Sequence, residues 1–151
     1  MASKIRILVS QISSNKKDIL HTLRLTAMFQ YKPDERDWKT FRKNIPMWQE
    51  KYISTLIEEY KTILSGTEES SEKFWKLKER IDTDAKKKGV IIEMKRSILV
   101  NNLISLMDEA VIDIDDLNEF SDELKEKVLS SIIILNRTRE LYHLTSPVDV
   151  V

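Results

Sequence analysis

Apolar residues recur every three or four positions along most of this chain, which is the spacing of one face of an α-helix. Segments with this spacing lie at 4–13, 16–31, 34–44, 46–64, 72–88, 91–108 and 123–144. The pattern predicts an all-α fold, a single-domain helical bundle of about six helices over residues 1–151, with 144–151 as a frayed C-terminal tail. Residues 91–108 and 123–144 are expected to pack in the core.

Prolines and glycines mark the predicted helix ends. Pro46 is expected to end one helix and to sit in the first turn of the next, where its missing N–H costs nothing. Gly66 and Gly89 are each expected just after a helix C-terminus. The apolar run "SIIIL" at 131–135 could alternatively be a strand, although the polar helix formers before it favour a helix.

The composition supports helices and excludes several classes of protein. Two glycines in 151 residues are too few for the turns and phosphate-binding loops of β-rich or nucleotide-binding folds. The absence of cysteine excludes disulfides, thiolate nucleophiles and cysteine-bound metals. No apolar run approaches the ~20 residues of a membrane span, and the N-terminal segment does not fit a secretory signal. We therefore expect a soluble, cytoplasmic protein with no membrane association.

The net charge is zero, but the charges are unevenly distributed. Residues 1–96 carry 21 Lys and Arg against 14 Asp and Glu, a net charge of +7, whereas residues 97–151 carry 4 against 11, a net charge of −7. One interpretation is that the two parts attract each other, within a monomer or across a homo-oligomer. The other is a basic binding surface followed by an acidic C-terminal part.

The stretch "AVIDIDDLNEFSDELKEKV" at 110–128 concentrates acidic side chains around a short apolar repeat. An EF-hand loop needs oxygen ligands at its first and third positions and a glycine at its sixth. If Ile112 is placed at the apolar eighth position of such a loop, Ser105, Met107 and Ala110 fall at its first, third and sixth positions. The missing ligand and glycine argue against a calcium loop.

Helix capping explains the acidic stretch better. Asp116 and Glu119 have the spacing of a capping box, and Ser121 or Asp122 can cap the last helix. The alternative is a divalent-metal site formed by Asp113, Asp115 and Asp116. We predict the capping role and no bound metal.

Two basic regions are candidates for a binding surface. Residues 36–52 alternate cations with aromatic residues, a combination that holds single-stranded nucleic acid; on a helix, the aromatics could instead face the core. The lysine-rich region near 86–96 could bind an acidic partner or the acidic part of another copy. The candidate partner- or nucleic-acid-binding residues are Arg36, Lys39, Arg42, Lys43, Lys86, Lys87, Lys88, Lys95 and Arg96.

Three segments of the chain are similar to known helical proteins: "FWKLKERIDTD", "GVIIEMKRS" and "VIDIDDLNEFSDELKEKV". Over residues 74–128, about a third of the chain, they resemble a group of small uncharacterised helical proteins of Gram-positive bacteria and their mobile elements. The resemblance rests on the aromatics, Gly89 and the acidic block. It implies no activity and no site residues.

No residue pattern indicates an enzyme. His21 and His143 have no second ligand at helical metal-binding spacing, and nucleophile, Walker and dinucleotide motifs are absent from the sequence. We expect a non-enzymatic interaction or regulatory protein that uses helical surfaces on a protein partner or on itself, and that needs no cofactor. The alternative is a nucleic-acid-binding regulatory protein that uses residues 36–52 and the lysines near 86–96.

Overall fold

The computed structural model describes residues 31–145, with side chains as far as Leu141. The α-helices of this part are α1 (Glu35–Leu64), α2 (Ser70–Asp84), α3 (Leu99–Asp108) and α4 (Asp122–Thr145), and 3₁₀ turns span Arg96–Ile98 and Asp115–Glu119. No strand occurs among these residues, so the all-α prediction is confirmed for them. Residues 131–135 lie inside α4, so the strand alternative is wrong.

The number of helices is not confirmed, because the described part contains four α-helices. The predicted helix at 4–13, residues 16–30 of the next one and 146–151 of the predicted tail lie outside the described residues. Tyr31 is not helical, and residues 144 and 145, predicted as part of the tail, belong to α4. None of the described helices combines the length and apolar character needed to cross a membrane.

Helices α1, α3 and α4 all start at the same end of the molecule. Arg96, just before α3, donates to the carbonyl oxygen of Pro33 at 2.9 Å. Ser121, just before α4, donates its N–H to the Asp37 carboxylate at 2.8 Å. Because the end of α3 lies beside the second half of α4, where Arg139 pairs with Asp108, these helices run in the same general direction.

The segment 109–121 returns along α1 in the opposite direction. Its residue Asp116 accepts a hydrogen bond from the Trp48 indole N–H at 3.1 Å. Further along, Glu119 lies 3.4 Å from Lys43, nearer the start of α1. Residues 109–121, the return segment, therefore cover the first half of α1 and lead to the start of α4.

The core lies between α1, α3, the return segment and α4. Phe41 and Trp48 are buried in an edge-on contact with ring centroids 6.5 Å apart, and Phe120 packs on Trp48 at 6.4 Å. The helices contribute the fully buried Leu99, Leu103, Leu106, Leu124 and Val128. Each such side chain stabilises the fold by roughly 1.5–3 kcal/mol, so the segments expected in the core do supply it.

Helix α1 continues through Pro46, so the predicted break there is wrong. A proline inside a helix removes one backbone hydrogen bond and costs about 3 kcal/mol. Pro46 lies on the exposed side of α1. Phe41, Ile45 and Trp48 are buried around it on the other side, and their burial outweighs that cost.

The predicted helix ends near Gly89 are also wrong. Helix α2 ends at Asp84 and not at residue 88, and α3 starts at Leu99 and not at residue 91. Gly89 has no positive φ. A Cβ atom on this glycine would lie 2.6 Å from Val111 Cγ2, in addition to a clash with the ring of Tyr52, so Gly89 is needed for close packing.

The left-handed residue of the described chain is Ala110, with φ of 55°. Its N–H bonds the carbonyl of Met107 at 3.1 Å, and the N–H of Val111 bonds that of Leu106 at 2.9 Å. This pair of bonds is the Schellman motif that ends many helices. Alanine therefore takes the left-handed position that glycine usually occupies at the end of a helix.

Candidate functional site

Helix α2 packs against α1 through a mainly polar face. Its buried residue is Asp84, which is 1% exposed. Its large apolar side chains remain in solvent, with Phe74 61%, Trp75 63% and Ile81 42% exposed. Phe74 and Trp75 contact each other edge to face, with ring centroids 5.1 Å apart, so they present one aromatic surface.

Two exposed apolar residues of α1, Ile57 and Leu64, lie on the same side of the α1–α2 hairpin as Phe74 and Ile81 of α2. The ion pair between Arg80 of α2 and Glu59 of α1 lies on the other side of the hairpin and serves as the reference. From the 3.6-residue helical repeat, Ile57 and Leu64 lie about 140° or more from Glu59 around α1, and Phe74 and Ile81 lie about 100° or more from Arg80 around α2. The hairpin stripe is defined as the exposed apolar residues Ile57, Leu64, Phe74 and Ile81 on this side, together with Trp75, whose ring contacts that of Phe74.

A buried carboxylate holds the hairpin together. Asp84 lies 2.7 Å from both Arg80 Nε and Lys87 Nζ. It also accepts a hydrogen bond from the Tyr60 hydroxyl of α1 at 3.0 Å. The Asp84 cluster, defined as these residues with Glu59, therefore fixes the position of α2 on α1.

The electrostatics of the Asp84 cluster favour its ionised form. Burial alone would raise the pKa of Asp84, but the hydrogen bonds from Lys87, Arg80 and Tyr60 outweigh burial and lower it. Burial and the neighbouring carboxylate raise the pKa of Tyr60, and the bond to Asp84 raises that of Lys87. At neutral pH the cluster is a closed network that supports the hairpin stripe.

A second buried carboxylate, Asp37, joins the starts of α1 and α4. It accepts hydrogen bonds from the Ser121 N–H at 2.8 Å, the Ser121 hydroxyl at 2.6 Å and the Tyr31 hydroxyl at 2.8 Å. Burial, together with Asp37, raises the pKa of Tyr31 to about 12. These hydrogen bonds hold the start of α4 beside the start of α1.

The candidate cations of the first region lie along the start of α1. Arg36, Lys39 and Lys43 share an exposed side of the helix, and Arg42 lies over the Trp38 ring at 5.5 Å. Among the neighbouring aromatics, Phe41 and Trp48 are buried in the core. These two rings are therefore not available to stack on bases.

Of the second region, Arg96 lies beside the first region, whereas Lys87 lies far from it. Arg96 pairs with Glu35 at the start of α1, where Lys39 also lies near Glu35. Lys87 lies instead at the Asp84 cluster, roughly 30 Å further along α1 at 1.5 Å per residue. Of the others, Lys95 pairs with Glu93, Lys86 is exposed and Lys88 is partly buried.

The acidic stretch forms caps, three residues earlier than expected. Asp113 accepts the N–H groups of Asp115 and Asp116 at 2.8 and 3.2 Å, and Asp116 accepts the N–H of Asp113 at 2.9 Å. The capping box therefore joins Asp113 to Asp116 and not Asp116 to Glu119. As predicted, the Ser121 hydroxyl accepts the N–H of a residue in the first turn of α4.

A cleft of about 360 Å³ lies between the middle of α1, the Asp84 cluster and the return segment. Lys51, Lys87, Glu109, Asp113 and Asp116 are among the residues that line it. Within the described residues, no group of three acidic or histidine side chains is placed to hold a metal ion. The carboxylates of Asp113 and Asp116 are bonded to N–H groups of the chain itself.

The periodicity of α2 did not reveal its exposed face. Phe74, Leu77 and Ile81 have core-type spacing, yet two of them are solvent-exposed. Periodicity shows that a face is apolar and does not show what covers it. Trp75 beside this face, on a helix with otherwise charged residues, was the available indication. His21 and the side chain of His143 lie outside the described part.

Comparison of the chain with protein-family models, with curated proteins and with solved structures finds no match. The resemblance of residues 74–128 to helical proteins of Gram-positive bacteria therefore stays a prediction.

Proposed function

We propose that this chain is a non-enzymatic interaction or regulatory protein that binds another protein through the hairpin stripe. The observation that carries this proposal is the exposure of the Phe74–Trp75 aromatic pair on a helix that buries little except Asp84. Contiguous exposed apolar patches mark interaction sites, and aromatic anchors dominate binding energy at such sites.

The support beneath the stripe favours this role. The Asp84 cluster fixes α2 on α1 with charge-assisted hydrogen bonds, so the apolar side chains are presented on a rigid surface. A rigid surface loses little conformational freedom on binding. The absence of cysteine from the sequence is compatible with action in the reducing cytoplasm.

Site-specific photocrosslinking in living cells tests the proposal. Benzoylphenylalanine in place of Trp75 keeps an aromatic group on the stripe and should form covalent adducts with a bound protein. The matched control carries the same group in place of Ile133, an exposed residue of α4. Adducts at position 75 that disappear with Phe74→Ala support the proposal. Equal labelling at both positions, or no adduct, overturns it.

Nucleic-acid binding is the second candidate, favoured by the shared exposed side of Arg36, Lys39 and Lys43. Binding through these cations should weaken with salt, with a log–log slope of roughly 0.7–0.9 per phosphate neutralised. The test is titration of the full chain with a mixed single-stranded oligonucleotide pool at low salt. Lys39→Glu should weaken the binding, whereas Lys61→Glu, distant on α1, should not. No binding at low salt removes this candidate.

A further inference from the structure

Helix α2 buries far less apolar surface than the other helices of the described part. Asp84 is its buried residue, and the apolar cluster that forms the core takes its residues from α1, α3, the return segment and α4. Leu103 of α3 and Leu124 of α4, for example, are fully buried. Segments with few buried apolar contacts open at a lower free energy than the rest of a protein. By this criterion, α2 is the helix that is released most easily.

The contacts that hold α2 on α1 are mainly polar and lie toward the C-terminal end of α2. Arg80 pairs with Glu59 of α1, and Asp84 accepts a hydrogen bond from the Tyr60 hydroxyl at 3.0 Å. Lys87, which follows the helix, lies 2.7 Å from Asp84. The Asp84 carboxylate is therefore the point at which α1, α2 and the next part of the chain meet.

The chain after α2 is fixed to other parts of the fold. The Gly89 N–H donates to Glu109 at 3.0 Å, and the Val90 carbonyl accepts a hydrogen bond from the Gln49 side chain at 3.0 Å. Before α2, the chain comes directly from the end of α1. Residues 65–88, the α2 unit, are therefore attached at both ends and held on α1 between them by the Asp84 cluster.

We infer that the α2 unit separates from α1 as a whole while the core stays folded, and that the negative charge of Asp84 opposes this release. The hairpin stripe takes residues from both helices, so release of the unit takes the stripe apart. The Asp84 cluster therefore acts as a switch for the stripe. Release is a property of the fold, whereas control of partner binding by release rests on the proposed function.

The released α2 helix is expected to unwind. It has 15 residues, and isolated helices of this length are marginal in water, so its backbone N–H groups become open to exchange with solvent. Leu56 of α1 is buried but lies outside the core cluster. Because it is one turn from Tyr60 on the same side of α1, release also uncovers this apolar side chain, which favours the docked form.

Native-state hydrogen exchange of the full chain at neutral pH, followed by mass spectrometry at low urea concentrations, tests the release. Relative to unstructured peptide, amides of α2 should exchange at least about a hundredfold faster than those of α3, because their opening does not require global unfolding. Their rates should also depend less on urea, since a local opening exposes less surface. Equal protection and equal urea dependence in both helices overturn the inference.

Asp84→Asn tests the role of the charge. It weakens the hydrogen bonds from Arg80 and Lys87, and a hydrogen bond to a charged group is worth roughly tenfold or more in an equilibrium constant. Exchange in α2 should therefore become at least about tenfold faster. Arg80→Gln leaves Lys87 on Asp84 and should act in the same direction, so it replaces Asp84→Asn if that variant does not fold.

The matched control for Asp84→Asn is Asp82→Asn on the same helix. The Asp82 side chain is 58% exposed and pairs with Lys78 inside α2, so its substitution should change exchange in α2 by less than about threefold. Equal effects of the two substitutions on α2 overturn the role of Asp84.

Val128→Ala tests whether α2 opens independently of the core. Val128 of α4 is fully buried, and its truncation should make exchange in α3 about tenfold faster or more. Exchange in α2 should stay unchanged, because the core is intact in both the docked and the released form. Equal acceleration of both helices shows that α2 opens only with the core and overturns the inference.

Hydrogen exchange and the photocrosslinking at Trp75 separate the release from the proposed function. Independent opening of α2 in a chain that forms no adduct keeps the release and overturns the proposed function. Adducts formed by a chain in which α2 exchanges only through global unfolding keep the proposed function and overturn the release.

Discussion

The substitution Ala110→Gly should stabilise the protein, although replacement of alanine by glycine usually destabilises. Ala110 has φ of 55° at the end of α3. This left-handed conformation costs an L-residue roughly 1–2 kcal/mol, whereas glycine adopts it freely. Against this gain stands the larger conformational entropy that glycine has in the unfolded chain, worth about 0.5–1 kcal/mol. Because Ala110 is exposed, the loss of its methyl group removes little burial.

The expected net effect of Ala110→Gly is a gain of about 0.5–1 kcal/mol in the free energy of unfolding. For a chain of this length it corresponds to a rise in melting temperature of roughly 1–4 °C. Urea unfolding followed by far-UV circular dichroism measures the free energy, and a thermal scan checks the sign.

Ala85 provides a matched control for Ala110. It follows α2, is exposed, and has ordinary right-handed dihedrals, with φ of −59° and ψ of −18°. Ala85→Gly has the same effect on the unfolded chain and no strain to relieve, so it should destabilise by about 0.5–1 kcal/mol. If both variants destabilise equally, the argument from the left-handed conformation is wrong.

Three further predictions concern the packing and the buried carboxylates. Gly89→Ala should destabilise by about 1–3 kcal/mol in urea unfolding because the added Cβ has no space. In the control Gly66→Ala, the added Cβ meets mainly the flexible side chain of Glu68, so stability should change by less than about 0.5 kcal/mol. Equal effects of the two substitutions would contradict this reasoning. Asp84→Asn should flatten the loss of stability in acid: the pKa of Asp84 is lower in the folded than in the unfolded state, so its stabilisation is present above the unfolded pKa and is lost as the pH falls through the folded pKa. The test measures the urea midpoint of both proteins from neutral pH down to about pH 3. If the midpoints of wild type and variant fall in parallel, the prediction is wrong. Asp37→Ala removes the acceptor of three hydrogen bonds and should destabilise by about 3 kcal/mol; a loss below about 1 kcal/mol would show that water replaces the carboxylate.

The sequence was sufficient for the features that depend on local chemistry. The 3.6-residue pattern identified the helical class and placed the start of α4 correctly, because Ser121 has the right chemistry for a helix cap just before a run of helix formers. The cap in the acidic stretch was recognised but assigned three residues too late, since Asp113 and Asp116 both fit the role.

Features decided by tertiary contacts could not be predicted in the same way. The local effect of Pro46 is to break a helix, but the buried residues on either side of it keep α1 continuous. Gly89 has the sequence context of a helix end, yet the approach of Tyr52 and Val111 determines its role. Likewise, the exposure of Phe74 depends on which part of the protein α2 packs against, and the periodicity of the sequence carries no information about that.

The link between Asp37 and Ser121 has a consequence for synthesis of the protein on the ribosome. These residues are 84 positions apart, and translation at 5–20 residues per second needs roughly 4–17 s to cover that distance. During that interval the apolar side of α1, including Phe41 and Trp48, has no α4 to cover it. The nascent chain therefore passes through a stage at which a chaperone can recognise it, and this stage ends when residues 121–128 leave the exit tunnel.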